Sequence, residues 1–196
     1  MRRCALIRPG VVGYEQGLII QAEARRRVAD GEYDGMLILL EHPPVITLGR
    51  SGGEDNLRVS RDALVLQGVP VVNTNRGGKV TCHNPGQLVG YPVLDLHRWR
   101  QDVHWFVSSL EEVIIRTLLR YGHRCGRKAD YTGVWLGNEK IAAIGISVRQ
   151  WITNHGFALN VTNDLSLFEN VIPCGIREFG VTSLKQAGTP ITVSQT

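Results

Sequence analysis

The chain has 196 residues, 43% of them hydrophobic and 20% charged, which is ordinary for a soluble globular protein and enough to bury a substantial core. Lys plus Arg number 22 against 18 acidic residues, so the net charge of +4 suits an acidic partner or simply a basic surface. The longest apolar run, "MLILL", is too short to cross a bilayer. The N-terminus has no secretory pattern, and no basic run with interleaved aromatics suggests nucleic acid, so a cytoplasmic protein without membrane or nucleic-acid partners is expected.

In chain order, "EQGLIIQAEARRRVAD" predicts a helix stopped by Gly31. "GMLILLEH" and "PVITLGR" predict two short strands separated by Pro43 and Pro44. A short amphipathic turn of helix at 61–67 leads into a strand, "VPVVNT". "KVTC" and "QLVGYPVL" read as two strands joined across "HNPG", where Pro fixes φ and Gly tolerates a positive φ. Apolar residues from Val103 to Tyr121 then recur at helical spacing, with Asp102 as the start and Gly122 as the stop. "GVWLGNEKIAAIGISV" predicts a hairpin turning at Gly137-Asn138, and "HGFALNVT" another strand. "NDLSLFENVIPCGI" reads as a capped short helix or turn ending in a Pro-Cys-Gly corner. Strands outnumber helices and hairpins outnumber β-α-β units. The expected class is α+β, a mostly antiparallel sheet with helices packed against it, in one domain spanning 1–196.

The densest feature is "NRGGKVTCHNPGQLVGYP", residues 75–92. A phosphate-binding loop would need a hydroxyl where Val80 stands, and no glycine cluster opens a helix after a strand, so no nucleotide site is expected. Cys82 and His83 are adjacent and would point to opposite faces of a strand, which disfavours a shared metal ion. His42, His97, His104, His123 and His155 are scattered, with no H-x-x-x-H pair. Only His83 and His155 lie in glycine-rich strand ends where a side chain can face a cleft.

Four cysteines, Cys4, Cys82, Cys125 and Cys174, form no C-x-x-C pair, which leaves neither a zinc site nor a disulfide framework to expect. Cys4 and Cys125 read as inert. Cys174, between a rigid Pro and a permissive Gly, is the candidate nucleophile, provided a nearby cation or base favours its thiolate. Lys140 heads an otherwise apolar strand; it either snorkels to solvent or faces the cleft as that cation.

"RGGKVTCHNPGQLVGYPVLDL", "TGVW", "KIAAIGISV", "HGFALNV", "DLSLF" and "VIPCGI...VTSL" occur in the order and spacing of the lipoyl(octanoyl) transferases, which share the biotin/lipoate protein ligase fold, and the chain resembles them from its first helix to about Leu184. The resemblance implies transfer of an octanoyl group from acyl carrier protein to a lysine of lipoyl domains, those of 2-oxoacid dehydrogenase complexes and glycine cleavage H protein. It implies a Cys174 acyl-thioester intermediate, with Lys140 lowering the thiol pKa and relaying protons. It implies an acyl pocket lined by Arg76, Gly77, Gly78, Lys79, Val80, Thr81, Cys82 and His83, closed by Ala143, Ile144, Gly145, Gly156, Phe157 and Ala158. It implies no ATP, no metal and a monomer. Two departures stand out. Cys82 and Asn84 occupy positions where the family has an aromatic and a glycine; Asn tolerates the left-handed backbone better than most residues, which leaves the turn feasible. The family's C-terminal helix, whose start "TVSQT" resembles, is cut short.

Overall fold

A computed structural model describes residues 2–172, 179–189 and 191–196. The strands are β1 (Cys4–Val11), β2 (Gly35–Glu41), β3 (Val45–Leu48), β4 (Val71–Asn73), β5 (Val80–His83), β6 (Gln87–Leu94), β7 (Gly126–Lys128), β8 (Tyr131–Leu136), β9 (Glu139–Arg149), β10 (Ile152–Asn160) and β11 (Gly180–Val181). The helices are α1 (Tyr14–Ala29), α2 (Arg61–Leu66) and α3 (Val103–Arg120). The class is α+β, as expected. Among the described residues no helix is long and apolar enough to cross a membrane.

The large sheet runs β1-β2-β6-β10-β9-β8-β7, with β11 pairing the hairpin end of β9 beyond the point where β10 stops. Its pairings are antiparallel except β1 on β2 and β11 on β9. A second sheet of three strands, β4-β3-β5, stands apart. The two strands joined across "HNPG" therefore do not pair: β5 pairs with β3, and β6 lies between β2 and β10. The turn carries the chain from one sheet to the other.

Burial explains the patterns. β2 and β6 are apolar at nearly every position because both faces of the central sheet are covered. Helix α1 turns Tyr14, Gln21, Ala24 and Val28 inward at helical spacing and packs on β2, β6 and β10. Helix α3 buries Phe106, Leu110, Ile114 and Leu118 against β8 and β9 on the opposite face. Asp102 caps it as its position predicts, accepting the Trp105 N–H at 2.9 Å. β1, absent from the expected elements, is an exposed edge strand with Arg8 and Pro9 in its middle, so it has little apolar alternation to detect.

Candidate active site

Successive side chains on a strand alternate faces, so Val89 and Tyr91 of β6 share a face with Ala158 and Gly156 of β10 and with Ala143 and Gly145 of β9. Over this strip of small residues lie β5 and the loop before it, and the gap between is a cavity of about 50 Å³. Arg76, Gly78, Lys79, Val80, Thr81, His83, Ala143, Ile144, Gly145, Gly156, Phe157 and Ala158 all line it, which brings together most of the residues expected to form the acyl pocket.

Two of the expected residues are placed differently. Gly77 is a strut of the wall, its N–H donating to the Ile146 carbonyl at 2.7 Å. Cys82 turns to the other face of β5, into the apolar cluster of Ile46, Leu167 and Phe168, with its thiol 3.6 Å from the Leu167 carbonyl oxygen. Asn84 is not left-handed, as its φ is not positive; Gly86, at φ +89°, takes that conformation instead. The Asn84 amide serves as a tie, donating to the Asp164 carbonyl at 2.7 Å and accepting from Asn163 at 3.1 Å.

The cavity rim is held by backbone. Gly49, Arg50 and Ser51 donate to the carbonyls of Lys79, Arg76 and Gly78, so the glycine-rich loop is stitched to the segment after β3. Arg76 is buried, and its guanidinium donates to the Thr47 carbonyl at 2.6 Å and to the Thr47 hydroxyl at 2.8 Å.

Lys140 depends on a β-bulge. Val134 opposes Ala142 and Trp135 opposes Lys140, so one step on β8 spans two on β9 and Ile141 is the extra residue. Ile141 and Ala142 both enter the core under α3, and Lys140 swings to the other face. There it shares a small pocket with Thr81, Ala143 and Ala158, three residues that also line the main cavity. The side chain does not snorkel: the residue is 5% exposed, its Nζ donates to the Thr132 carbonyl at 3.0 Å, and the ammonium sits 4.8 Å from the Trp135 ring centroid. Gly133, at φ +129°, leaves the room: a Cβ there would lie 2.6 Å from the Ala142 carbonyl oxygen, beside the lysine stem.

Cys174 lies outside the described residues. Further along the chain, Val181 pairs with Lys140 through β11.

The buried end of the cavity holds residues that sequence reasoning did not anticipate, Tyr14, Val89 and Tyr91, together with His83 and His155. Their signal is positional: Tyr14 begins the inward stripe of α1, and Tyr91 alternates in step with Val89. Tyr14 stacks on His83 with ring centroids 5.9 Å apart and meets His42 at 5.1 Å. The Val12 carbonyl 2.7 Å from His42 Nδ1 can only accept, so the proton is on Nδ1 and Nε2 receives the Tyr91 hydroxyl at 2.7 Å. By the same logic His83 donates through Nδ1 to Gln87, and His155 through Nε2 to Asn75.

Burial, reinforced by His42 and Arg76, lowers the His83 pKa to about 3. Burial and Arg76 bring that of His155 to about 4, and burial raises that of Tyr14 to about 12. At neutral pH the whole floor is therefore uncharged.

A wider apolar groove of about 370 Å³ lies on the opposite face, between α3 and the sheet. It is lined by residues such as Leu37, Leu88, Leu110 and Ile114, and among the described residues the lining holds no acidic or basic side chain. Among the described residues no cluster of three or more His, Cys, Asp or Glu could hold a metal ion.

The model of the lipoyl protein ligase A/B catalytic domain matches residues 14–196. An octanoyltransferase of Thermoanaerobacter sp. (strain X514) is 52% identical over 188 residues, covering 96% of this chain and 82% of that protein. An octanoyltransferase of Caldanaerobacter subterraneus subsp. tengcongensis is 49% identical over 195 residues, covering 100% of this chain and 86% of the other. Among solved structures, lipoate-protein ligase A bound with ATP superposes with a TM-score of 0.74 at 17% identity, covering 99% of this chain and 80% of that one. A bi-partite lipoate protein ligase from Thermoplasma acidophilum gives 0.75 at 16% identity, with coverages of 100% and 79%. Those structures share the fold. With near-half identity over almost the whole length and a cavity walled by the segments that carry the likeness, the chain belongs to the octanoyltransferases, acyltransferases within the lipoyl protein ligase A/B catalytic-domain family.

Proposed function

We propose that this protein transfers an octanoyl group from octanoyl-acyl carrier protein to a lysine amine of lipoyl domains, those of 2-oxoacid dehydrogenase complexes and of glycine cleavage H protein, through an acyl-thioester on Cys174. The observation that carries the reading is the buried ammonium of Lys140 beside a cavity floored by small residues, the two joined through Thr81, Ala143 and Ala158. Cys174 precedes Val181, the pairing partner of Lys140, by seven residues in the sequence.

In the first half-reaction the Cys174 thiolate attacks the thioester carbonyl. A carbon–sulfur bond forms to Cys174, the bond to the carrier's sulfur breaks, and the departing thiolate takes a proton relayed by Lys140. In the second, the target amine attacks the enzyme thioester, an amide forms, Cys174 leaves as thiolate, and the amine's surplus proton passes to Lys140. Exchange of one thioester for another is nearly isoenergetic and amide formation is downhill, so neither ATP nor a metal is required. A cation beside the sulfur favours the thiolate in both halves.

Incubation with octanoyl-acyl carrier protein, followed by intact-mass measurement, tests the reading. An octanoyl adduct is expected on the wild type and not on Cys174→Ala. An adduct that persists in the variant would overturn the assignment of the nucleophile.

A further inference from the structure

The acyl cavity has a mouth and a floor that differ in kind. Gly78 and Lys79 are exposed and Ala143, Ile144 and Gly145 half-buried, whereas Tyr14 is 7% exposed, His83 5%, Tyr91 4% and His155 2%. The reactive end is the one next to Lys140, at Thr81, Ala143 and Ala158. An acyl chain whose carbonyl lies there and whose tail stays buried runs toward the rings.

The floor does not yield easily. Tyr91 is tied through His42 to the Val12 carbonyl, His83 to Gln87 and His155 to Asn75. These bonds engage ring edges and leave ring faces for apolar contact. Tyr14 differs from the others in coming from α1, laid across His83 at a 19° interplanar angle with His42 behind it. Removing that one ring would extend the cavity toward His42 without cutting the ties of the others.

We infer, resting on the acyl-transfer reading above, that Tyr14 is a specificity-determining residue: its ring is the stop on which the methyl end of the acyl group comes to rest, and it sets the chain length accepted. A shorter side chain at this position admits longer acyl groups, and a larger one admits only shorter groups.

The test is a competition among hexanoyl, octanoyl, decanoyl and dodecanoyl thioesters of pantetheine, with Tyr14→Leu, Tyr14→Phe and Tyr14→Trp compared with wild type. Tyr14→Leu should raise the decanoyl-to-octanoyl ratio of kcat/KM about tenfold, the worth of burying two further methylenes. Tyr14→Phe should leave the ratio unchanged, and Tyr14→Trp should favour hexanoyl. Thermal stabilisation by free octanoic and decanoic acids gives a readout independent of catalysis, with Tyr14→Leu moving the preference to the longer acid. Unaltered preference in both assays for a folded Tyr14→Leu, or for Tyr14→Trp should the former not fold, would overturn the inference. A wild type that transfers none of the four while still being stabilised by octanoic acid would overturn the acyl-transfer reading and leave the depth of the cavity intact.

Discussion

The two faces of the large sheet are built from the same strands and put to opposite uses. On one face Ala143, Gly145, Gly156 and Ala158 keep side chains short, and the vacated volume is the cavity. On the other, their immediate neighbours Ala142, Ile144 and Leu159 are packed under α3 with Ile114, Leu118 and Val134. Neighbouring positions thus answer to different demands: one face is selected for the space it leaves, the other for the space it fills.

The largest break in this contrast comes from the lysine that the bulge moves between the faces. Lys140→Met keeps an apolar stem of similar length, so the fold should survive while octanoyl transfer falls roughly 100-fold or more, the usual worth of a positioned proton-transfer group. Alkylation of Cys174 near neutral pH should slow in parallel. An unchanged alkylation profile would remove Lys140 from the mechanism.

Acid should expose the cavity face next. The ordinary histidine pKa is 6.5, and burial lowers those of His83 and His155 to about 3 and 4. Below pH 6.5 the unfolded chain takes up protons that the folded one excludes, so stability is full above 6.5 and is lost as pH falls toward 4. The loss should reach several kcal/mol, and urea titrations at pH 7.5 and 5 would measure its onset.

A matched pair of substitutions one residue apart separates the faces directly. Ala142→Leu, 1% exposed in the α3 core, should cost about 1–3 kcal/mol by overpacking and leave acyl preference alone. Ala143→Leu should cost less stability but block octanoyl binding, because its extra atoms enter the cavity. Equal stability losses with equal activity would refute the distinction. The smallest effect concerns Gln21, which accepts the His155 backbone N–H at 2.8 Å and holds that residue at φ +58°. Gln21→Ala should cost on the order of 1 kcal/mol for the orphaned N–H, readable as a lower melting temperature.

Much of this was legible in the sequence because it follows local rules. The spacing from Val103 to Tyr121, the Asp102 cap and the Gly137 turn each obey a period or a backbone constraint, and each is realised. That these segments would wall one cavity was legible through resemblance, not through periodicity. Simple alternation along "KIAAIGI" fails at the crucial residue: it groups Lys140 with Ala142 and Ile144, under α3. Only the extra residue at Ile141 reverses that, and a bulge is fixed by the facing strand rather than by its own sequence. The floor was hidden for a related reason. Tyr14, His42, His83, Tyr91 and His155 come from four strands or strand-flanking segments and one helix, so nothing local announces that their rings meet.

Helix α1 carries both the Tyr14 stop and the Gln21 acceptor on one inward stripe that continues through Ala24 and Val28 into the central core. The floor of the cavity is therefore not a separate layer that can loosen by itself; it opens only if the helix lifts. Occupancy should then be felt far from the ligand, as slower amide exchange along the length of α1, which makes the first helix a reporter of whether the cavity is loaded.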